Sequence, residues 1–108
     1  MGGAWGNKKN FDQAISNYNR SIELNPKEIL GYFGRGLAYG KKGDHDRAIT
    51  DFTQAIEINP NYIAAYQNRA VAYRKKGRSD LAAADFAKAA ELLNNSSQTQ
   101  LFPNWLIY

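Results

Sequence analysis

The chain has 108 residues, 44% of them hydrophobic, and no cysteine, so it can bury the core of one domain but cannot form disulfides or thiolate metal sites. Its net charge of +4 and pI near 9.4 favour acidic partners, although the Lys and Arg residues are spread along the chain. Because no apolar run is long enough for an export signal or a membrane span, we expect a soluble, cytoplasmic chain without membrane insertion.

The first predicted element is a helix over residues 10–24, which the dipeptide Asn25-Pro26 ends. Residues 11–26 line up with residues 45–60 further along the chain. We therefore read residues 1–28 as a partial repeat, mainly its second helix.

Two complete copies of the repeat follow, over residues 29–62 and 63–96. Aligned without a gap, they are identical at 15 of 34 positions, which indicates an internal period of 34. Proline at the end of one unit and a turn glycine within each unit predict paired helices. The predicted helices span residues 27–42, 45–58, 61–76 and 79–93, and the turn glycines are Gly43 and Gly77.

Small and bulky residues recur in both copies where paired helices must approach closely. The small ones are Gly36, Ala48, Ala55, Ala70, Ala82 and Ala89, and the bulky ones are Tyr32, Tyr39, Phe52, Tyr66, Tyr73 and Phe86. These positions recur at a period of 34 in the order aromatic, small, Tyr, Gly, Ala, Phe, Ala and Pro. This order resembles the tetratricopeptide repeat (TPR) family over residues 10–94. The resemblance implies an all-α fold, an α-solenoid of antiparallel helix pairs in a right-handed superhelix, with about two and a half repeats.

The resemblance also implies a protein-protein interaction module, an adaptor that binds a peptide on the concave face lined by the first helix of each pair. The family positions on that face are Leu30, Phe33, Gly34, Leu37, Gly40 and Lys41 in one unit, and Ala64, Gln67, Asn68, Val71, Arg74 and Lys75 in the next. From these we predict a partner-binding set of Leu30, Phe33, Leu37, Lys41, Gln67, Asn68, Val71, Arg74 and Lys75. Asn68 can donate to and accept from a peptide backbone, and cations favour acidic groups.

Each part of this set has a structural alternative. Leu30, Phe33 and Leu37 recur on one helical face and can equally pack against a neighbouring helix, while Arg74 and Lys75 can belong to a solvated face. Some relatives clamp a chaperone's C-terminal carboxylate with Lys, Asn and Arg residues from successive repeats. Asn68 matches one Asn of that pattern, but Phe33 and Leu37 stand where Lys and Asn are expected, so we predict no such clamp.

A charged pair also recurs with the repeat. Arg35 and Asp51 are sixteen residues apart, as are Arg69 and Asp85, and the partial repeat has Asn17 in place of the Asp. This pattern predicts a structural ion pair between the two helices of each unit.

The sequence does not favour an enzyme. His45 is the only histidine, and without a Cys or second His nearby it supports neither a metal site nor a nucleophile, so we expect it to pack or face solvent, with no cofactor bound. Lysine pairs at 8–9, 41–42 and 75–76 raise nucleic-acid binding as a competing class, but no base-reading or stacking motif accompanies them.

The chain ends in an apolar tail, residues 97–108. Its candidate self-association residues are Leu101, Phe102, Trp105, Leu106, Ile107 and Tyr108. An apolar tail needs a cover. It can fold back over the last helix, lie in a groove of its own or a neighbouring copy and thereby drive assembly, or stay disordered. A self-assembling scaffold is therefore the alternative to the peptide-binding adaptor.

Overall fold

The computed structural model describes the backbone of residues 8–101 and the side chains of residues 10–95, and these residues form helices and turns without a strand. The helices are α1 (Lys8–Leu24), α2 (Ile29–Lys42), α3 (His45–Ile58), α4 (Ile63–Lys75) and α5 (Ser79–Leu101). Each helix packs against the next one along the chain, and α2 also touches α4. The stack measures 57 × 34 × 27 Å. The predicted all-α solenoid of helix pairs is confirmed.

Several helix ends differ from the prediction. The helices α2 and α4 begin at Ile29 and Ile63, two residues later than predicted, because Asn25 and Asn59 organise the turns before them. The Asn59 carbonyl accepts from the Tyr62 amide at 3.0 Å, and its Oδ1 accepts from the backbone of Asn61, also at 3.0 Å. Such side-chain to backbone bonds favour a turn over a helix.

The outer helices are longer than predicted. The helix α1 begins at Lys8, and α5 runs to Leu101, so the predicted end of the last helix at residue 93 is wrong. Residues 79–101 contain neither proline nor glycine. Nothing local therefore ends α5 where the proline of a next repeat would stand.

The predicted turn glycines are confirmed at both positions. Gly43 has φ 89° and Gly77 has φ 81°, the left-handed conformation that a residue with a Cβ avoids. After the first turn, the Asp44 carboxylate accepts from the Arg47 amide at 3.2 Å and caps the start of α3.

Small residues let the helices approach closely. Ala48, Ala55 and Ala70 are fully buried. A Cβ added at Gly34 would lie 2.3 Å from the Tyr18 ring, so this position tolerates no larger side chain without movement. The core is therefore built from alternating small and bulky residues of neighbouring helices.

The recurring Arg–Asp ion pair is present in both complete units, as predicted. The Arg69 guanidinium donates to both Asp85 oxygens at 2.7 and 2.8 Å, and its Nη1 donates to Thr53 Oγ1 at 3.0 Å. Arg35 makes the equivalent bond to Asn19 Oδ1 at 2.8 Å. Each arginine thus joins its own pair of helices to the second helix of the preceding pair. We call this arrangement the arginine latch.

The carboxylates of the latch keep the arginines charged. The hydrogen bond to Asp51 raises the pKa of Arg35, and the one to Asp85 raises the pKa of Arg69; burial acts in the opposite direction but is outweighed. Both guanidinium groups therefore remain positively charged.

Candidate functional site

A groove of about 440 Å³ opens between α2 and α4, with α3 at its base. We call it the α2–α4 groove. From α2 it is lined by Gly36, Leu37, Gly40 and Lys41, from α3 by His45, Ala48 and Phe52, and from α4 by Asn68, Val71, Ala72 and Lys75. It exists because α2 and α4 are both first helices of their pairs and therefore lie side by side.

The polar side chains that line this groove are either positively charged or uncharged. Lys41, His45, Asn68 and Lys75 stand among apolar lining residues, and none of the described acidic side chains lines the groove. Within the described part of the chain, no carboxylate lies within ion-pair distance of the Lys41 or Lys75 ammonium group. Both cations are therefore available to an acidic ligand.

The adjacent lysines behave differently. Lys42 forms an ion pair with Asp12, and Lys76 forms one with Asp46. Each of these two lysine pairs thus divides: its first member lines the groove, and its second bridges to the preceding unit. Lys41-Lys42 and Lys75-Lys76 therefore do not form a continuous row of unpaired cations, which is the pattern expected for binding along a nucleic-acid backbone.

Asn68 is held in place on the α4 wall. Its Nδ2 donates to the Ala64 carbonyl at 2.8 Å, a bond to the preceding turn of the same helix. Oδ1 accepts no hydrogen bond from any of the described residues. The Asn68 amide therefore offers the groove an acceptor for a backbone N–H, in a position set by the helix.

The other predicted partner-binding residues lie elsewhere. Leu30 is 59% exposed and lines a separate cleft of about 260 Å³ with Tyr18 and Leu24, among others. Gln67 is exposed and does not line the groove. Of the predicted set, the groove brings together Leu37, Lys41, Asn68, Val71 and Lys75.

Phe33 and Arg74 are engaged in contacts within the protein. The Phe33 ring lies 5.6 Å from that of Phe52 and 5.1 Å from that of Tyr62, centroid to centroid. Arg74 places its guanidinium 5.6 Å from the centroid of the Phe86 ring. The Phe33 contacts are those expected from the packing alternative, but its side chain is only partly buried, so its part in partner binding stays a prediction.

Sequence reasoning missed part of the groove lining. Gly36, His45, Ala48, Phe52 and Ala72 line it, although most of them were assigned to helix packing. The same small residues that admit a neighbouring helix also leave space beside it. His45 could have been found by its position, since it opens α3 directly after the turn that follows Lys41.

The described residues offer neither a metal site nor a membrane span. No group of three or more His, Asp or Glu side chains there is placed to hold a metal ion, and none of the helices is long and apolar enough to cross a bilayer. The predicted self-association residues Phe102, Trp105, Leu106, Ile107 and Tyr108 lie outside the described residues, and of Leu101 only the backbone is described.

Comparison with family models gives consistent matches along the chain. A model described as tetratricopeptide repeat matches residues 29–62, a TPR repeat model matches residues 7–43, and a further tetratricopeptide repeat model matches residues 52–84. A search of curated protein sequences found no significant match.

Solved structures provide closely similar folds. MamA, in a crystal structure, is 36% identical with a TM-score of 0.80, over 82% of this chain and 52% of that one. The second TPR of Spaghetti (RPAP3), bound to the HSP90 peptide SRMEEVD, is 30% identical with a TM-score of 0.74, over 76% of each chain. A MamA MSR-1 structure is 28% identical, with a TM-score of 0.77 over 89% of this chain and 55% of that one. The present chain thus spans about half the length of the MamA chains.

Proposed function

Because this chain belongs to the tetratricopeptide repeat family, we propose that it is a protein-interaction module that binds an extended peptide segment of a partner in the α2–α4 groove. The observation that carries the proposal is the pair of lysines, Lys41 and Lys75, on opposite walls of a groove whose base includes the apolar Ala48 and Phe52. Neither lysine is neutralised by a carboxylate among the described residues. A ligand with both apolar and acidic side chains matches this surface.

The walls of the α2–α4 groove indicate that part of the ligand is apolar. Leu37 on α2 and Val71 on α4 line the groove together with the Phe52 ring, and Leu37 and Val71 are only partly buried. An aliphatic or aromatic side chain inserted between them would remove apolar surface of both partners from water, at about 25 cal/mol per Å². The acidic component would set orientation and raise the association rate.

A relative supports a peptide as the ligand. The TPR of Spaghetti is bound to the peptide SRMEEVD, which carries three acidic residues and one basic residue. The present chain differs at the positions of the carboxylate clamp, since Phe33 packs against Phe52 and Tyr62 and Leu37 is apolar. We therefore propose recognition of acidic and apolar side chains within a segment, without a clamp for its terminal carboxylate.

The proposal is tested by selecting peptides from a random heptapeptide phage library on the full chain and measuring the affinity of the enriched peptides by fluorescence anisotropy. We expect enrichment of peptides that combine acidic and large apolar residues. The variant Lys41→Glu with Lys75→Glu should bind them at least about tenfold more weakly, because two attractive charges become repulsive.

A matched control has the same change of net charge outside the groove, Arg20→Glu with Lys27→Glu. Arg20 and Lys27 are exposed and do not line the groove. Equal losses in the two double variants would mean that only overall charge matters and would refute the groove site. Unchanged affinity in the groove variant would refute it as well.

The alternative, a self-assembling scaffold, has its own supporting observation. Leu24 is 81% exposed and Leu30 is 59% exposed, and both line the separate cleft near Tyr18. Light scattering across a dilution series tests this alternative: a mass above the monomer that falls on dilution, and that Leu24→Ser with Leu30→Ser abolishes, would favour assembly through this cleft.

A further inference from the structure

His45 is a groove residue to which the function proposed above gives no role. It is the first residue of α3 and lines the α2–α4 groove together with Lys41 and Lys75. Its side chain is partly buried, yet none of the described residues forms an ion pair or a hydrogen bond with the imidazole. Neither ring nitrogen is buried without a partner, so both remain open to solvent and to a ligand in the groove.

The carboxylates next to His45 in the sequence are engaged by other cations. Asp44 accepts from the Arg47 amide at 3.2 Å and from the Arg47 guanidinium at 2.9 Å. Asp46 forms an ion pair with Lys76 on α4. Neither aspartate therefore holds the imidazole, which leaves it available to a carboxylate from outside the chain.

Within the described part of the chain, the helices packed against α3 contribute only cations as charged groups in the groove. These helices are α2 and α4, and their charged lining residues are Lys41 and Lys75. Lysine side chains and peptide carboxylates in general keep their charges between about pH 5.5 and 7.5, whereas a histidine changes its charge in this range. The groove lining therefore has two positive charges when His45 is neutral and three when it is protonated.

On the basis of the function proposed above, we propose that His45 makes the α2–α4 groove a pH-responsive site that binds acidic peptide segments more tightly below neutral pH. A protonated imidazole donates from both ring nitrogens, and a hydrogen bond from an ionised donor to a carboxylate is stronger than one between neutral groups. Below neutral pH, His45 thus adds a third cationic contact to those of Lys41 and Lys75. Because the two binding events are reciprocal, an acidic peptide also promotes proton uptake by His45.

The positions equivalent to His45 in the neighbouring repeats cannot give this response. One repeat before it stands Phe11, and one repeat after it stands Ser79, neither of which changes charge between pH 5.5 and 7.5. His45 is also the only histidine of the chain. A single substitution can therefore show whether a pH dependence of binding in this range belongs to His45.

The inference is tested with histidine-free, acidic heptapeptides from the phage selection, labelled with a rhodamine dye whose fluorescence does not change with pH. Their affinity for the full chain is measured by fluorescence anisotropy at pH 5.5, 6.5 and 7.5 at constant ionic strength. We expect binding to be about two- to fivefold tighter at pH 5.5 than at pH 7.5, the gain expected from one further partly exposed charge pair. His45→Gln, which keeps a polar side chain that does not titrate, should remove the difference.

A matched control moves the histidine out of the groove. His45→Gln combined with Gln13→His keeps the amino-acid composition of the chain, but Gln13 is exposed on α1 and does not line the groove. This double variant should bind the peptides equally well at pH 5.5 and pH 7.5. A restored pH dependence would show that the overall charge is sufficient and would overturn the assignment to His45.

Two further outcomes would overturn the inference: equal affinities of the unmodified chain at all three pH values, or an unchanged pH dependence in His45→Gln. If circular dichroism shows that His45→Gln loses helix, calorimetry of the unmodified chain replaces it. At pH 6.5, the heats of binding in two buffers of different ionisation enthalpy should then show net uptake of a fraction of a proton per peptide, and no uptake would overturn the inference. The function proposed above is tested separately, because it fails if Lys41→Glu with Lys75→Glu does not specifically weaken binding at pH 7.5, whatever the pH dependence.

Discussion

Arg35 and Asp51 form a bidentate ion pair in which Nε and Nη2 of the arginine each lie 2.8 Å from a carboxylate oxygen. The Asp51 side chain is 4% exposed and that of Arg35 is 22% exposed. Removing Arg35 alone would leave a buried carboxylate without its cation, which costs far more than loss of an exposed ion pair. Because the Asp51 carboxylate is buried, a double-mutant cycle should detect the interaction free energy between Arg35 and Asp51.

We expect Arg35→Ala and Asp51→Ala each to lower the free energy of unfolding by about 3 kcal/mol, and the double variant to lose less than the sum, with a coupling of about 1–3 kcal/mol. Urea unfolding of the four chains, followed by circular dichroism, provides the values. The reference cycle is Arg78–Asp80, whose charged groups are 3.9 Å apart and largely exposed. Its coupling should stay below about 1 kcal/mol, and a similar coupling in both cycles would contradict the structural role of burial.

Two glycines of α2 should respond oppositely to the same substitution. A Cβ at Gly34 would lie 2.3 Å from the Tyr18 ring, whereas for a Cβ at Gly40 the nearest atom outside the local helix backbone is the Ala48 Cβ at 4.0 Å. Gly34→Ala should therefore lower the free energy of unfolding by about 1–3 kcal/mol. Gly40→Ala should raise it by about 0.5–1 kcal/mol, because alanine favours the helix. Thermal and urea unfolding of both variants measure these changes. Destabilisation by Gly40→Ala would contradict the conclusion that a Cβ fits at Gly40 but not at Gly34.

Phe33 and Leu30 lie on one helix but differ in what they contact. Phe33 packs between Phe52 and Tyr62, while Leu30 is 59% exposed. Phe33→Ala should cost about 3 kcal/mol or more of unfolding free energy, and Leu30→Ala should cost less than about 1 kcal/mol, since little packing is lost. Equal costs in urea unfolding would contradict the assignment of Phe33 to packing.

Tyr66 and Tyr32 occupy equivalent positions in successive repeats, but Tyr66 Oη donates to the Pro60 carbonyl at 2.9 Å. No equivalent bond from Tyr32 is present among the described residues. Tyr66→Phe should therefore lower the free energy of unfolding by about 1 kcal/mol, and Tyr32→Phe should leave it nearly unchanged. If the two variants unfold at the same urea concentration, the Tyr66 hydrogen bond contributes nothing to stability.

Much of the fold follows from patterns within single helices. The period of 34 predicted the number of complete units, and Asn-Pro and Gly marked the turns. The helix ends were less predictable because they depend on local hydrogen bonds, such as those of Asn59 before α4. The end of α5 at Leu101 was missed because the repeat pattern breaks at residue 94, and the absence of a proline there favours continuation of the helix.

The groove was only partly predictable for a different reason. Family positions indicate which residues of α2 and α4 face a common side, but whether a side chain remains available depends on its neighbours. Lys41 and Lys42 are adjacent in sequence, yet Lys42 is paired with Asp12 of α1 and Lys41 lines the groove. The position of a carboxylate on another helix thus decides which of the two lysines is paired and which is available in the groove.

The amino-acid sequence by itself determined the helical repeat, the turns at Gly43 and Gly77, and the pairing of Arg35 with Asp51, because each of these depends on spacing along the chain. Only the tertiary structure decided that Phe33 contacts Phe52 and Tyr62, that Thr53 is a third partner of the latch and that α3 forms the base of the groove. These features depend on how neighbouring helices are rotated and how closely they approach, which is set by packing among residues far apart in sequence.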